Sequence, residues 1–163
     1  MSFHHKLSSK QFTKEALKPL LESLNIQHKK IVFTNGCFDI LHRGHVEYLS
    51  QARDLGDYLI LGLNTDESVK GLGKSPERPI NFQDARATVL AGLECIDAIV
   101  LFNEDTPLEL ITFIKPHILV KGNDYKAEDI VGYDVVTANG GQVVTIKLVD
   151  GFSTTKLIEK MKK

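Results

Sequence analysis

Five short apolar runs, separated by helical patterns, constrain this chain more than any other feature. KIVFTNG (30–36), YLILGLN (58–64), AIVLF (98–102), HILVKG (117–122) and QVVTIKL (142–148) are rich in Ile, Leu and Val, and each ends near a glycine or a polar turn. Their apolar character is continuous and not alternating, as expected of strands buried on both faces of a parallel sheet. HVEYLSQARDLG (45–56), NFQDARATVLAGLE (81–94) and DTPLELITFIK (105–115) carry helical spacing between them. Asn81 suits an N-cap, Pro107 a first turn and Gly56 the residue after a helix end. STTKLIEKMKK closes the chain as a capped, basic-ended helix, and the leading stretch 8–24 reads as helical with Pro19 expected to kink or split it. Strand–helix alternation of this kind predicts a doubly wound, Rossmann-like α/β fold: a parallel five-stranded sheet with helices on both faces.

The 163 residues suffice for one domain, 1–163, with a sizeable core. Apolar residues make up 42% and charged residues 25%, the balance of a soluble globular protein, and the net charge of −1 argues against a nucleic-acid partner. No run approaches membrane-spanning length, so no membrane insertion is expected. Cys37 and Cys95 form neither a CxxC nor a disulfide framework, which points to a reducing, cytoplasmic setting. The stretch 66–80 has no periodic pattern, and a loop of that length inside a compact domain is more often functional than idle.

Ligands of doubly wound folds bind beyond the carboxyl ends of the strands. Beyond the first apolar run lies TNGCFDILHRGHVEYL (34–49), with His42 and His45 around an Arg-Gly pair at a helix start. No GxGxxG follows the strand, and GLGKS (71–75) has Ser68 where a Walker motif needs glycine. A zinc site lacks a third ligand nearby. Phosphate remains: Gly44 allows close backbone approach, the helix offers free N–H groups, and imidazoles donate to phosphoryl oxygens. Capping or surface decoration is the alternative for either histidine.

GCFDILHRGH resembles the G-x-F-D-x-x-H-x-G-H signature of the nucleotidyltransferase superfamily that includes the cytidylyltransferases. DGFSTTKLIEKM (150–161) resembles its Ser-Thr-Thr element. LNTDESVKGLG, ERPIN, VKGNDY and NGGQVV resemble one branch, the adenylyltransferases acting on D-glycero-D-manno-heptose 1-phosphate, often found as the C-terminal half of a bifunctional kinase/adenylyltransferase. The similarity covers residues 10–162. It implies transfer of an adenylyl group from ATP to a heptose 1-phosphate, giving ADP-heptose, a precursor of lipopolysaccharide or other surface glycans, and pyrophosphate. Mg²⁺ would enter with ATP and no metal ligands are expected in the protein. A homodimer and a separate upstream heptose kinase are implied as well.

By the same resemblance His42 and His45 are catalytic, with Lys74 and Arg86 beside the phosphates; a solvated lysine and a surface arginine are their bland alternatives. Asn35, Gly36, Phe38, Gly44, Lys121, Gly122, Asp124, Ser153, Thr154 and Thr155 would bind nucleotide or phosphate. Asp39, Lys70 and Tyr125 would meet the sugar phosphate, Lys70 competing with Lys74 for the triphosphate. Leu148 stands where glycerol-phosphate cytidylyltransferases carry arginine, which favours the adenylyltransferase branch. Two other readings stay open: a glycerol-3-phosphate or related cytidylyltransferase, and a non-catalytic nucleotide-binding module.

Overall fold

The structure, a computed structural model, describes residues 2–73, 76–124 and 126–162. Six parallel strands form one sheet: β1 (Gln11–Phe12), β2 (Ile31–Gly36), β3 (Tyr58–Asn64), β4 (Ala98–Phe102), β5 (Ile118–Gly122) and β6 (Gln142–Ile146), in the order β1-β4-β3-β2-β5-β6. The five expected strands are present; β1 is the sixth, and corrects the five-stranded expectation. Its two residues pair with Ile99 and Val100 at the edge of the sheet, and so short a segment carries no periodicity to read.

The helices are α1 (Phe3–Ser9), α2 (Lys14–Ile26), α3 (Arg43–Arg53), α4 (Asp66–Gly71), α5 (Gln83–Ala91), α6 (Leu108–Ile114), α7 (Tyr133–Ala138) and α8 (Thr154–Met161). Both faces of the sheet are covered. Along β2 the side chains alternate between two cores: Val32 packs with Tyr48, Leu49 and Ala52 of α3 and Leu90 of α5, while Ile31 and Phe33 pack with Leu17 and Leu21 of α2 and Ile111 of α6. This explains the unbroken apolar runs, since neither face of a central strand meets water.

Local expectations change as well. The stretch 8–24 is not one helix: Lys10 and β1 separate α1 from α2, and Pro19 lies inside α2 without dividing it. Glu15 and Pro19 are both exposed, so water can take the carbonyl that proline leaves unpaired. The stretch 66–80 is not wholly loop, because Thr65 caps the short α4 through Ser68 N–H. Asn81 is not the cap of α5; Phe82 holds that place, and Asn81 turns to Asp39 instead.

From β2 the chain moves outward through β3 to β4, then returns across the sheet to β5 and β6 on the other side of β2. α3 and α6 lie on opposite faces. A crevice must therefore open between the carboxyl ends of β2 and β5, where the winding reverses.

Candidate active site

A cleft of about 460 Å³ occupies that crevice, a size suited to a small ligand. Its floor is the ends of β2 (Asn35, Gly36) and β5 (Lys121, Gly122). One wall is the loop from β2 into α3, with Cys37, Phe38, His42, Gly44 and His45; the other is the segment from β6 into α8, with Leu148, Val149, Phe152, Ser153, Thr154 and Thr155. The amino ends of α3 and α8 thus border one space, and unpaired N–H groups at helix starts favour anions.

His42 is the N-cap of α3. Its Nδ1 accepts from His45 N–H at 3.4 Å, a contact that favours the neutral tautomer with its proton on Nε2. The His45 ring stacks on it, centroids 3.7 Å apart and 17° from parallel, and Phe38 meets His45 edge-on at 5.1 Å. Burial lowers the proton affinity of both imidazoles. For His45 the value falls to about 4, with burial the main cause and neighbouring His42 and Arg78 adding to it, against a smaller opposing pull from the Ile40 backbone. Both rings are therefore neutral near pH 7 and act as dipolar groups. His45 Nδ1 and Asn35 Oδ1 are buried polar atoms without a hydrogen-bond partner. Such atoms are costly in a folded chain unless a ligand completes them.

Local backbone rules hold this loop in shape. Phe38 adopts φ 45°, a left-handed conformation uncommon for a bulky residue, with its ring buried. At Gly44 a Cβ would stand 3.1 Å from the His42 ring and 3.2 Å from Phe152 Cβ, so glycine here lets the two walls close around the histidine. At Gly122 a Cβ would fall 2.6 Å from Asp124 Oδ1. Opposite, Ser153 Oγ caps α8 by accepting from Lys156 N–H, and Thr154 donates to the Ile40 carbonyl at 3.4 Å.

Residues 33–160 match the cytidylyltransferase-like family. The chain belongs to that family. Among curated relatives, the bifunctional protein HldE of Trichlorobacter lovleyi is 53% identical over 158 residues, 97% of this chain and 32% of that protein. HldE of Syntrophotalea carbinolica is 54% identical over 160 residues, again 97% of this chain and 32% of the relative. The chain thus spans about a third of the length of these relatives. Among solved structures, a lipopolysaccharide core biosynthesis protein from Thermoplasma volcanium superposes with a TM-score of 0.63 at 27% identity, covering 75% of this chain and 99% of that one. A pantoate-beta-alanine ligase from Francisella tularensis shares the fold with a TM-score of 0.62 at 14% identity, over 93% of this chain and 76% of the ligase chain.

Within this family member the structure gathers Asn35, Gly36, Phe38, His42, Gly44, His45, Lys121, Gly122, Asp124, Ser153, Thr154 and Thr155 around one cleft. Three other expected residues are placed elsewhere. Arg86 is 2% exposed and does not line the cleft; it donates to the carbonyls of Asn81, Cys37 and Asn64 and pairs with Asp66 at 2.8 Å. Its guanidinium is used within the protein, binding the end of β3 to the histidine loop. Asp39, 1% exposed, accepts from Arg78 and from the Ile80 and Asn81 N–H groups and does not reach the cleft. Lys70 is exposed in the last turn of α4, away from the cleft lining. Lys74 and Tyr125 lie outside the described residues.

Sequence reasoning passed over Arg78, Tyr48 and Phe152, all of which line the cleft. Tyr48 sits on the apolar stripe of α3 and reads as core, which it also is, with its hydroxyl 2.8 Å from Thr34 Oγ1. Arg78 lies in a polar, aperiodic stretch where nothing local separates a buried arginine from a solvated one.

Proposed function

We propose that the chain transfers an adenylyl group from ATP to a heptose 1-phosphate, forming ADP-heptose and pyrophosphate. The observation that carries this reading is the stacked His42–His45 pair at the start of α3, facing the amino end of α8 across one cleft. The likeness to proteins named HldE and to a lipopolysaccharide core biosynthesis protein supports the substrate class.

The chemistry follows from the inventory. A phosphate monoester oxygen is already ionised near neutral pH, so no general base is required. That oxygen attacks the α-phosphorus, a new P–O bond forms, and the bond to the β-phosphate oxygen breaks with its electron pair leaving on pyrophosphate. The protein's task is positioning and stabilisation of spreading charge. His42 Nε2–H donates to a phosphoryl oxygen, and His45 brings a second imidazole against the same group. The first-turn N–H groups of α3 and α8 and the Thr155 hydroxyl can add donors, and Lys121 contributes positive charge. Asp124 is the one carboxylate in the described lining, which suits Mg²⁺ arriving on the triphosphate's own oxygens and not a protein cage. A metal so bound would offset phosphate charge.

A kinase acting on the sugar must supply the 1-phosphate. The exposed Phe82 and Val89, seven residues apart along α5, support a homodimer, which light scattering would test. The deciding experiment measures pyrophosphate release with Mg²⁺, crossing ATP and CTP against heptose 1-phosphate and glycerol 3-phosphate. Release with ATP and the heptose phosphate alone is expected. Release with CTP and glycerol phosphate would overturn the substrate assignment.

A further inference from the structure

Arg78 is a buried cation whose guanidinium is only partly used by the protein. The residue is 7% exposed and lines the cleft. Its Nε donates to Asp39 Oδ2 at 3.1 Å. The Asp39 carboxylate also receives Ile80 N–H at 2.9 Å and Asn81 N–H at 2.8 Å, and the Asn81 side chain closes the ring by donating to the Asp39 carbonyl at 2.7 Å. Asp39 is therefore fixed from three directions and steers one edge of the guanidinium. Neither terminal nitrogen of Arg78 makes a hydrogen bond among the described residues, and neither is among the polar atoms sealed from solvent without a partner. Arg78 lines the cleft, so these nitrogens are open to a ligand there.

Asp39 supplies one anion, but both terminal nitrogens of a guanidinium this buried keep hydrogen-bonding capacity that a ligand can take up. Its free fork presents parallel N–H groups at the spacing of two phosphoryl oxygens. Its position selects which phosphate. Arg78 belongs to the crossover from β3 to β4, on the opposite side of β2 from Lys121 at the end of β5. An in-line displacement places the incoming oxygen and the departing pyrophosphate on opposite sides of the α-phosphorus. Lys121 suits the triphosphate, which leaves the Arg78 side for the incoming group.

We propose that Arg78 binds the phosphate monoester of the acceptor and holds its oxygen toward the α-phosphorus, with Asp39 as its positioning residue. This rests on the adenylyltransferase reading above. Arg78 keeps its protons throughout; the acceptor oxygen forms the new bond and pyrophosphate carries away the electron pair.

The test uses the full chain and two variants, Arg78→Lys, which keeps charge but loses the fork, and Arg78→Gln. In pyrophosphate-release assays both raise KM for the heptose phosphate, by about ten- to a hundredfold, the equivalent of losing one or two charge-assisted hydrogen bonds. KM for ATP stays within about twofold of wild type. A rise confined to ATP would place the triphosphate at Arg78 and overturn the proposal. So would parallel losses in both substrates with a lowered Tm, which would mark a purely structural tie. Should wild type release no pyrophosphate with any sugar phosphate, the adenylyltransferase reading fails on its own. Calorimetry of inorganic phosphate into protein saturated with a non-hydrolysable ATP analogue then decides: heat in wild type that disappears in Arg78→Gln supports the proposal, and heat in both or in neither overturns it.

Discussion

The two walls of the cleft are built in opposite ways. The histidine loop is anchored from below by buried polar groups: Arg86 links its Cys37 carbonyl to Asn64, Asn81 and Asp66, and Asp39 holds Arg78 and the 80–81 backbone. The wall leading into α8 is mostly exposed, with Thr154 the one buried residue of that helix. Among the described residues its hydrogen bonds and ion pairs to the rest are long or solvated: Thr154 to the Ile40 carbonyl at 3.4 Å, Leu148 N–H to Asn123 at 3.4 Å, and an exposed Lys162–Glu77 ion pair at 2.7 Å. In the proposed reaction the first wall would fix where the reacting phosphorus lies, and the second would yield to let nucleotide in and pyrophosphate out. Local stability differences of this kind follow burial and hydrogen bonding.

The strongest way to break the contrast is at Arg86. Arg86→Met leaves Asp66 and three carbonyls without their donor, and a loss of about 3–5 kcal/mol in denaturant unfolding is expected, with activity falling as the loop loosens. A loss near that of a surface residue would refute the anchored-wall account. Next comes His45→Ala, for which kcat should fall by about 10²–10³ with Tm little changed. An unchanged kcat would remove the histidine pair from the chemistry.

His45 also makes the rigid wall sensitive to acid. The folded protein resists protonating this ring until pH falls to about 4, whereas the unfolded chain takes up the proton near the ordinary value of 6.5. Between those values the unfolded state holds more protons, so stability declines as pH drops through that window. The ring is partly solvated, and the loss is on the order of 1 kcal/mol. Urea unfolding at pH 4.5 and 7 should show a difference that His45→Gln reduces. The smallest effect belongs to the yielding wall. Ser153→Ala removes a cap on a helix that carries little of the fold, costing about 1 kcal/mol or less in global unfolding. Amide exchange in α8 should quicken while that of α3 does not.

Legibility in the sequence divides along similar lines. The central strands were readable because burial on both faces leaves runs of Ile, Leu and Val, as in β2 and β3. The histidines, the glycines and the Ser-Thr-Thr element were readable because each sits at a strand end or a helix start. Arg86 and Asp39 were drawn toward the ligand, since a charged side chain near a site shows its charge but not its partner. Their partners are backbone groups tens of residues away, such as Cys37 for Arg86 and Asn81 for Asp39. β1 was invisible because two residues of edge strand gain their identity from Ile99 and Val100, not from their own composition.

A histidine that caps its own helix has one ring nitrogen already engaged. With Nδ1 of His42 accepting from the His45 backbone, Nε2–H can give a hydrogen bond but cannot hand its proton on and regain one through the other side of the ring. In the proposed transfer the incoming phosphate needs no deprotonation, and pyrophosphate would depart as a stable anion. No hydrogen is in flight at the moment of transfer, so turnover in heavy water should run close to that in ordinary water, with a solvent isotope effect near unity.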